Sequence, residues 1–520
     1  GGAINIITRK TGGMNFNASA GIGSYDHQHQ TINAANRFSN GLGIRLSAER
    51  RLSDNYRNQN RIDYDNLFLN VSQEWQAGSV FAELIHVDED LQTPGAIFPQ
   101  QIQVSRKVIG PFSLGDFNDT VSDTGRLGGN IRLAPDWELA VEYTHRNEDV
   151  DGLISGTEFN QHRLARSFNP RLYGNLPFDF GEISIVLGAD IENTEYKLMS
   201  GVGDTVNDQD MQAIYTLLTW QLNPRLSFTG GVRYARLEND NFKRDPFAAF
   251  PLPVDTFVSK TNRDDQTAES LGVLFTPSDR LRFHVKRETS FRFPLSDELT
   301  GTLALFDDLE TQTGVSWEAG AEWNSRFLTA RAVAYRLDLD NEIAFDPALN
   351  LGVGANINLD STRRNGLILE LDYGLFDGLD AGVQYSWTDA GFEEGPFAGE
   401  RIPMVAEHQL QFSSNYEFLP GWNLYGELIL ISDRVAAGDF ANAFPELPGY
   451  GVTNLNLRYD SGRFSISARL NNVLDKKYSS LAATGFNPFI PGPFGFGGTD
   501  TGFFPAPERN FLFTIGYNYP

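Results

Sequence analysis

A chain of 520 residues is too long for one soluble core of ordinary size, and its formal net charge of −25 excludes the basic footprint of a nucleic-acid-binding protein. It has no cysteine, so neither a disulfide framework nor a thiolate metal centre is available. It has no run of about 18 apolar residues either, so no transmembrane helix is expected.

What the chain does contain, from about Asn15 to Tyr519, is a succession of short segments in which apolar and polar residues alternate. Because strand side chains point to opposite faces in turn, such segments form strands with one greasy and one wet face. In chain order the strands are expected near residues 15–23, 28–38, 42–51, 63–75 and 79–88, then 121–133, 137–148, 163–175, 181–198 and 211–222. The next lie near 226–239, 266–276, 281–292, 314–325, 328–339 and 361–375, and the last near 380–390, 407–417, 422–432, 450–459, 464–472 and 509–519. Glu182 to Ile191 puts Ile183, Ile185, Leu187, Ala189 and Ile191 on one face. Phe464, Ile466, Ala468 and Leu470 share a face in the same way, as do Phe511, Phe513, Ile515 and Tyr517. Asn66, Asn70 and Ser72 form the polar face of another strand, with Phe68 as an apolar intruder.

The links between strands alternate in length. Ser39-Asn40-Gly41, Gln76-Ala77-Gly78, Ala134-Pro135-Asp136, Leu222-Asn223-Pro224, Pro277-Ser278-Asp279, Pro420-Gly421 and Ser461-Gly462 are tight turns, whereas 88–120, 149–162, 200–210, 240–265, 293–313, 340–360, 390–406, 433–448 and 475–508 are long. A soluble all-β protein has no reason to segregate link lengths in this way. An outer-membrane barrel does, with short periplasmic turns on one rim and long extracellular loops on the other. The fold class expected is therefore all-β: a single transmembrane antiparallel β-barrel of about 22 strands, a number associated with plugged transporters, whereas open porins have fewer.

Several segments resemble the TonB-dependent outer-membrane receptors. Gly1-Gly2-Ala3-Ile4-Asn5-Ile6-Ile7-Thr8-Arg9-Lys10 resembles the end of that family's plug domain. Ser290-Phe291-Arg292-Phe293-Pro294 with Glu298-Leu299, Tyr335 to Phe345, Asn365 to Glu370, and Gly399-Glu400-Arg401-Ile402-Pro403 with His408 follow in family order. Leu470-Asn471-Asn472-Val473-Leu474-Asp475-Lys476-Lys477-Tyr478 is the best of the matches. Asn341-Glu342, Asn365 and Ala406-Glu407 depart from the family pattern, and Pro520 follows the aromatic residue with which such barrels usually end. Leu91 to Ala96 resembles a segment of the ferric dicitrate-type receptors.

The resemblance implies residues 1–10 as the remnant of a plug, residues 11–520 as the barrel, and a place in the cell outer membrane. It implies active uptake of a ferric siderophore or similar scarce nutrient, energised by TonB through an N-terminal segment missing from this chain. The expected partners are the nutrient, TonB and outer-membrane lipid, with no nucleic acid, for a monomer without cofactor, metal or enzymatic role. No signal peptide is visible, so the chain is read as a fragment or processed product. A passive outer-membrane pore or a surface adhesion barrel is the alternative, and the plug-like start argues against both.

No catalytic motif appears. His27 and His29, with Asp26, can share a metal at a strand edge, but a solvated rim is the better reading. Carboxylate pairs such as Asp264-Asp265 are read as loop-borne and solvated. Arginines at the outer ends of strands are the candidate ligand-binding groups, because arginine grips oxyanions in bidentate fashion. Those named are Arg51, Arg57 and Arg61, with Tyr56 among them, and Arg106 and Arg292. Arg50, Lys243-Arg244 and Arg363-Arg364 belong to the same pattern, and pairing with neighbouring acids or lipopolysaccharide phosphates is the competing explanation.

Overall fold

Lipid offers the backbone no hydrogen-bond partner, so a sheet that crosses it must close on itself. The computed structural model, which describes residues 12–201, 203–245, 256–301, 309–347, 349, 354–492 and 497–519, shows that closure. The first strands are β1 (Asn15–Gly23), β2 (His27–Arg37), β3 (Leu42–Ser53), β4 (Ile62–Trp75) and β5 (Gly78–Gln92). Helix α1 (Pro99–Val104) precedes a set of long strands: β6 (Phe117–Ala134), β7 (Trp137–Ile154), β8 (Thr157–Phe178), β9 (Gly181–Ser200), β10 (Gly203–Asn223), β11 (Leu226–Asp245) and β12 (Thr256–Ser278). Then come β13 (Leu281–Arg292), β14 (Gln312–Asn324), β15 (Leu328–Asp340), a loop hairpin β16 (Glu342–Asp346) and β17 (Ala355–Leu359), β18 (Thr362–Phe376) and β19 (Leu379–Phe392). The chain ends with β20 (His408–Leu419), β21 (Trp422–Ile431), β22 (Tyr450–Asp460), β23 (Phe464–Asn471), a second loop hairpin β24 (Ser479–Asn487) and β25 (Gly498–Pro505), and β26 (Asn510–Tyr519).

Leaving out the two loop hairpins, 22 strands form one antiparallel sheet, and β26 pairs with β1 to seal it. Every expected strand position is occupied, including 163–175 and 361–375. The plug-like residues 1–10 lie outside the described residues.

The apolar faces turn outward. On β23 and β26, Phe464, Ile466, Ala468 and Leu470 stand opposite Tyr517, Ile515, Phe513 and Phe511. Ile466 and Ile515 are 42 % and 49 % exposed in the protein alone, which is lipid contact in a bilayer. Short-turn ends carry aromatic contacts such as Phe180–Trp220 and Trp422–Tyr459, with centroids 6.3 and 4.8 Å apart, as befits side chains at headgroup depth. The other face lines the lumen with ion pairs. Arg126 reaches Glu83 and Glu142 at 2.7 Å each, and Arg233 reaches Asp190 at 2.5 Å. Phe68 lies on this inner face opposite Ile85, so the polar lining is not continuous.

Two links expected to be long are not loops. β6 to β12 are 18–23 residues each, so 149–162 is the top of a hairpin whose turn is Ser155-Gly156, with φ of 51° and 80°. Two successive positive φ values match the twist of tight hairpins. Likewise 200–210 is mostly strand, and 240–265 shrinks because β11 and β12 reach Asp245 and Thr256. The reason is physical. Twenty tilted residues rise about 50 Å, twice the apolar band, so the upper half of this wall meets water on its outer face. There the outward residues are polar, as in the pair His162–Asp149 at 2.7 Å, and the apolar alternation stops while the backbone ladder continues.

The buried apolar core sits in the mouth at the long-loop end. Leu359, Phe392, Ile402 and Phe440 form one cluster and Ala436, Leu447 and Ala482 another.

Ile515→Arg and Ile466→Arg, which face each other across the β23–β26 ladder and so lie at about one depth, should each destabilise the barrel by about 2–4 kcal/mol. Thr514→Arg, on the lumen face, should be nearly neutral. Denaturant unfolding in lipid bilayers gives all three values.

Candidate ligand vestibule

The loops at the mouth are held by hydrogen bonds made by a few polar side chains. Arg57, on the β3–β4 link and 6 % exposed, donates to the carbonyls of Gly95 at 2.5 Å, Pro94 at 3.2 Å and Val108 at 2.7 Å. That bound loop carries Ile97, which pairs with Phe503 of β25 through backbone bonds of 3.0 and 2.8 Å. Burial lowers the Arg57 guanidinium to about 10, still charged at neutral pH. Tyr56 beside it is 4 % exposed, and burial together with the Glu508 carboxylate pushes its phenol up to about 12. Lys107 lies over its ring at 5.3 Å. Arg106 donates to the Tyr478 carbonyl. Tyr56, Arg57 and Arg106 are therefore brought together, at the seam between the β3–β4, β5–β6 and β23–β26 links.

The other candidates lie apart from this seam. Arg51 is on the inner face of β3, over the Tyr64 ring at 5.1 Å. Arg61 pairs with Asp63 at 3.5 Å on the outer rim, where Arg50 also binds Asp63 and Asp65. Arg292 grips both oxygens of Glu298, at 2.8 and 2.9 Å, and the same carboxylate accepts from the Leu295 backbone, closing the 293–298 turn. Arg244, Arg363 and Arg364 pair with Asp204, Asp338 and Glu342. His29 bonds Glu49 at 3.0 Å, and among the described residues no group of three or more side chains is placed to hold a metal.

Two features were invisible in sequence. Arg434, 9 % exposed, stacks 5.8 Å from the Tyr450 ring, and among the described residues neither its Nε nor one terminal nitrogen has a hydrogen-bond partner. Nothing local to Arg434 marks it, because the packing of three links creates its setting. The second is a pair of adjoining cavities of about 550 and 430 Å³ under the 293–301 segment, sharing Leu237 and Pro294 as a common wall. Asp264 lines the larger one, whereas Asp265 faces outward on the same strand opposite Arg236, so this carboxylate pair is neither loop-borne nor convergent.

Two outcomes test this geometry. Arg57→Ala removes three hydrogen bonds and takes the side-chain donor from the Gly95 and Val108 carbonyls, while Pro94 keeps its bond from Gly110, at a cost of about 1–3 kcal/mol per carbonyl left without a donor. Hydrogen exchange across residues 93–116 should accelerate while global unfolding of the barrel stays unchanged, and Arg57→Lys should recover only part of the protection. In an alkaline ultraviolet titration, Tyr56→Phe should remove a transition near pH 12. The neutral phenol is the form the fold favours, so docking of this seam weakens as pH rises from about 10, where a free tyrosine ionises, towards about 12.

Residues 6–473 match the protein family described as TonB dependent receptor-like, beta-barrel. The vitamin B12 transporter BtuB of Vibrio vulnificus (strain YJ016) is 22 % identical over 317 residues, covering 58 % of this chain and 46 % of that protein. The chain thus spans about half the length of this curated relative. The ferric yersiniabactin uptake receptor FyuA from Yersinia pestis superposes with a TM-score of 0.83 at 14 % identity, covering 99 % of this chain and 81 % of that one. The ferric citrate transporter FecA in its unliganded form gives 0.81 at 15 %, covering 98 % and 79 %. The copper transporter OprC gives 0.78 at 17 %, covering 98 % and 84 %. At these identities the structural likeness is one of fold.

Proposed function

The chain belongs to the TonB-dependent receptor β-barrel family of the outer membrane, and from that premise we propose that it is an active transporter for a ferric siderophore or another scarce, bulky nutrient, energised through TonB. The observation that carries this reading is the mouth. Its loops pack into buried clusters, and beside the cluster of Leu237 and Phe293 they leave two preformed cavities, a construction suited to capturing a ligand. A passive pore gains nothing from it. Within this reading residues 1–10 are the end of a plug domain, and the Glu83–Arg126–Glu142 network is part of the polar wall a plug meets.

Among the arginines, Arg51 and Arg434 are the ones we assign to the ligand. Among the described residues neither has a carboxylate within salt-bridge distance, whereas Arg61 and Arg292 are held by acids and Arg57 and Arg106 bind backbone carbonyls. Tyr56 supports the seam that Arg57 and Arg106 hold.

Cells expressing the natural gene should accumulate one member of a panel of ferric citrate, ferric hydroxamates, ferric catecholates and vitamin B12 against a gradient. Accumulation should stop when TonB is deleted or the proton-motive force is collapsed. Entry that only equilibrates, and persists without either, would identify a passive pore instead.

A further inference from the structure

The larger cavity says something about the ligand's chemistry. Its frame is rigid. Glu310 is tied to the β16–β17 hairpin by three bonds: its backbone nitrogen donates to Asn358 Oδ1 at 2.7 Å, its carbonyl accepts from Asn358 Nδ2 at 3.0 Å, and its carboxylate accepts from Asn341 Nδ2 at 2.8 Å. Thr311 donates to Asp264 Oδ2, and Gln266 donates to both Asp264 oxygens at 3.2 Å. The floor is apolar, built by Leu237, Leu299 and Leu309, which are 6–8 % exposed.

The charge pattern excludes an anion. Arg263 is the only cation among the described lining residues, and its guanidinium bonds Glu238 at 2.6 Å on the opposite face of the sheet. The two carboxylates inside, Asp264 and Glu310, repel anions, and the groups that hold them in place, Thr311, Gln266 and Asn341, are neutral hydroxyl and amide donors. Asn239 is 2 % exposed and lines the cavity, and its side-chain oxygen accepts from Asn207. Its amide nitrogen has no acceptor among the described residues. A donor at a cavity wall with no protein acceptor is open to a ligand or water that supplies one.

We propose that this cavity is a binding subsite for a group that carries hydroxyls or amides and no negative charge, read by Asn239, Asp264, Gln266 and Thr311 and seated on the leucine floor. Amides and hydroxyls in a fixed frame reject a ligand that cannot return their hydrogen bonds, because buried polar groups are then left unpaired. The inference rests on the vestibule being the ligand entrance, and it makes the part of the nutrient bound here free of negative charge.

The test is saturation-transfer NMR on the purified, detergent-solubilised protein with four probes. These are N,N′-diacetylchitobiose (hydroxyls and amides), maltotriose (hydroxyls alone), citrate (an anion) and choline (a cation). Binding of diacetylchitobiose or maltotriose is expected, and which of the two binds distinguishes an amide from a hydroxyl source. Asn239→Leu and Thr311→Val should each weaken it about tenfold or more, with Asp123→Asn on the outer wall as an unaffected control. Folding of each variant is checked by heat-modifiable gel migration, and either folded variant suffices. Binding of citrate or choline alone, neutral binding indifferent to both variants, or no binding by either neutral probe overturns the subsite. The experiment needs neither TonB nor transport, so a failure of accumulation in cells sinks the uptake reading separately.

Discussion

Backbone hydrogen bonding in a medium without water is the constraint on which the rest of this structure depends. Each strand edge left open in lipid would strand a row of N–H and C=O groups, so the ring must end where it began. The β26–β1 ladder does this with Ala18, Ala20 and Ile22 opposite Tyr517, Ile515 and Phe513. Once the ring is closed, outside and inside are defined for every strand, and the period of two sorts all other residues. Leu84 and Leu127 go to lipid, and Glu83 and Arg126 on the same strands go to the lumen.

A closed ring of this size cannot fill its own interior, and the described residues form no central core. Its burial is displaced to the mouth, where links of very different sequence position interlock. Arg57 makes three backbone bonds to one such link, Ile97 pairs with Phe503, and Ala437 bridges Ala483. This gives the mouth a fixed shape, which is what binding a particular ligand requires. The wall below it can be nearly uniform, because its task is to span lipid and to present polar groups inward.

The arginines show how a charge pattern is redistributed by folding. Arg51, Arg57, Arg61, Arg106 and Arg292 look equivalent in the chain, each at a strand end or in a long link. In the fold one lines the lumen, one clamps a loop, one faces the outer rim, one holds the Tyr478 carbonyl and one closes a turn. Arg434, flanked in sequence by nothing unusual, is the arginine that among the described residues has two buried nitrogens without a partner. The two cavities likewise join β11, β12 and the 293–313 link, which no local pattern associates.

The amino-acid sequence by itself determined the strand positions, their number, the outward faces and the separation of short-turn and long-loop rims. Each of these follows from the period of two and from turn residues, both local properties. Lipid contact writes itself into every second residue, so Ile466 and Ile515 were legible as outward-facing. The heights of β6 to β12 were not, because above the bilayer both faces meet water and the hydrophobic signal ends before the hydrogen-bonded ladder does. The roles of Arg57, Arg434 and Asn239 were decided only in the tertiary structure. A side chain's partner in a loop mouth depends on which distant links pack against it, and on what charge they leave unanswered.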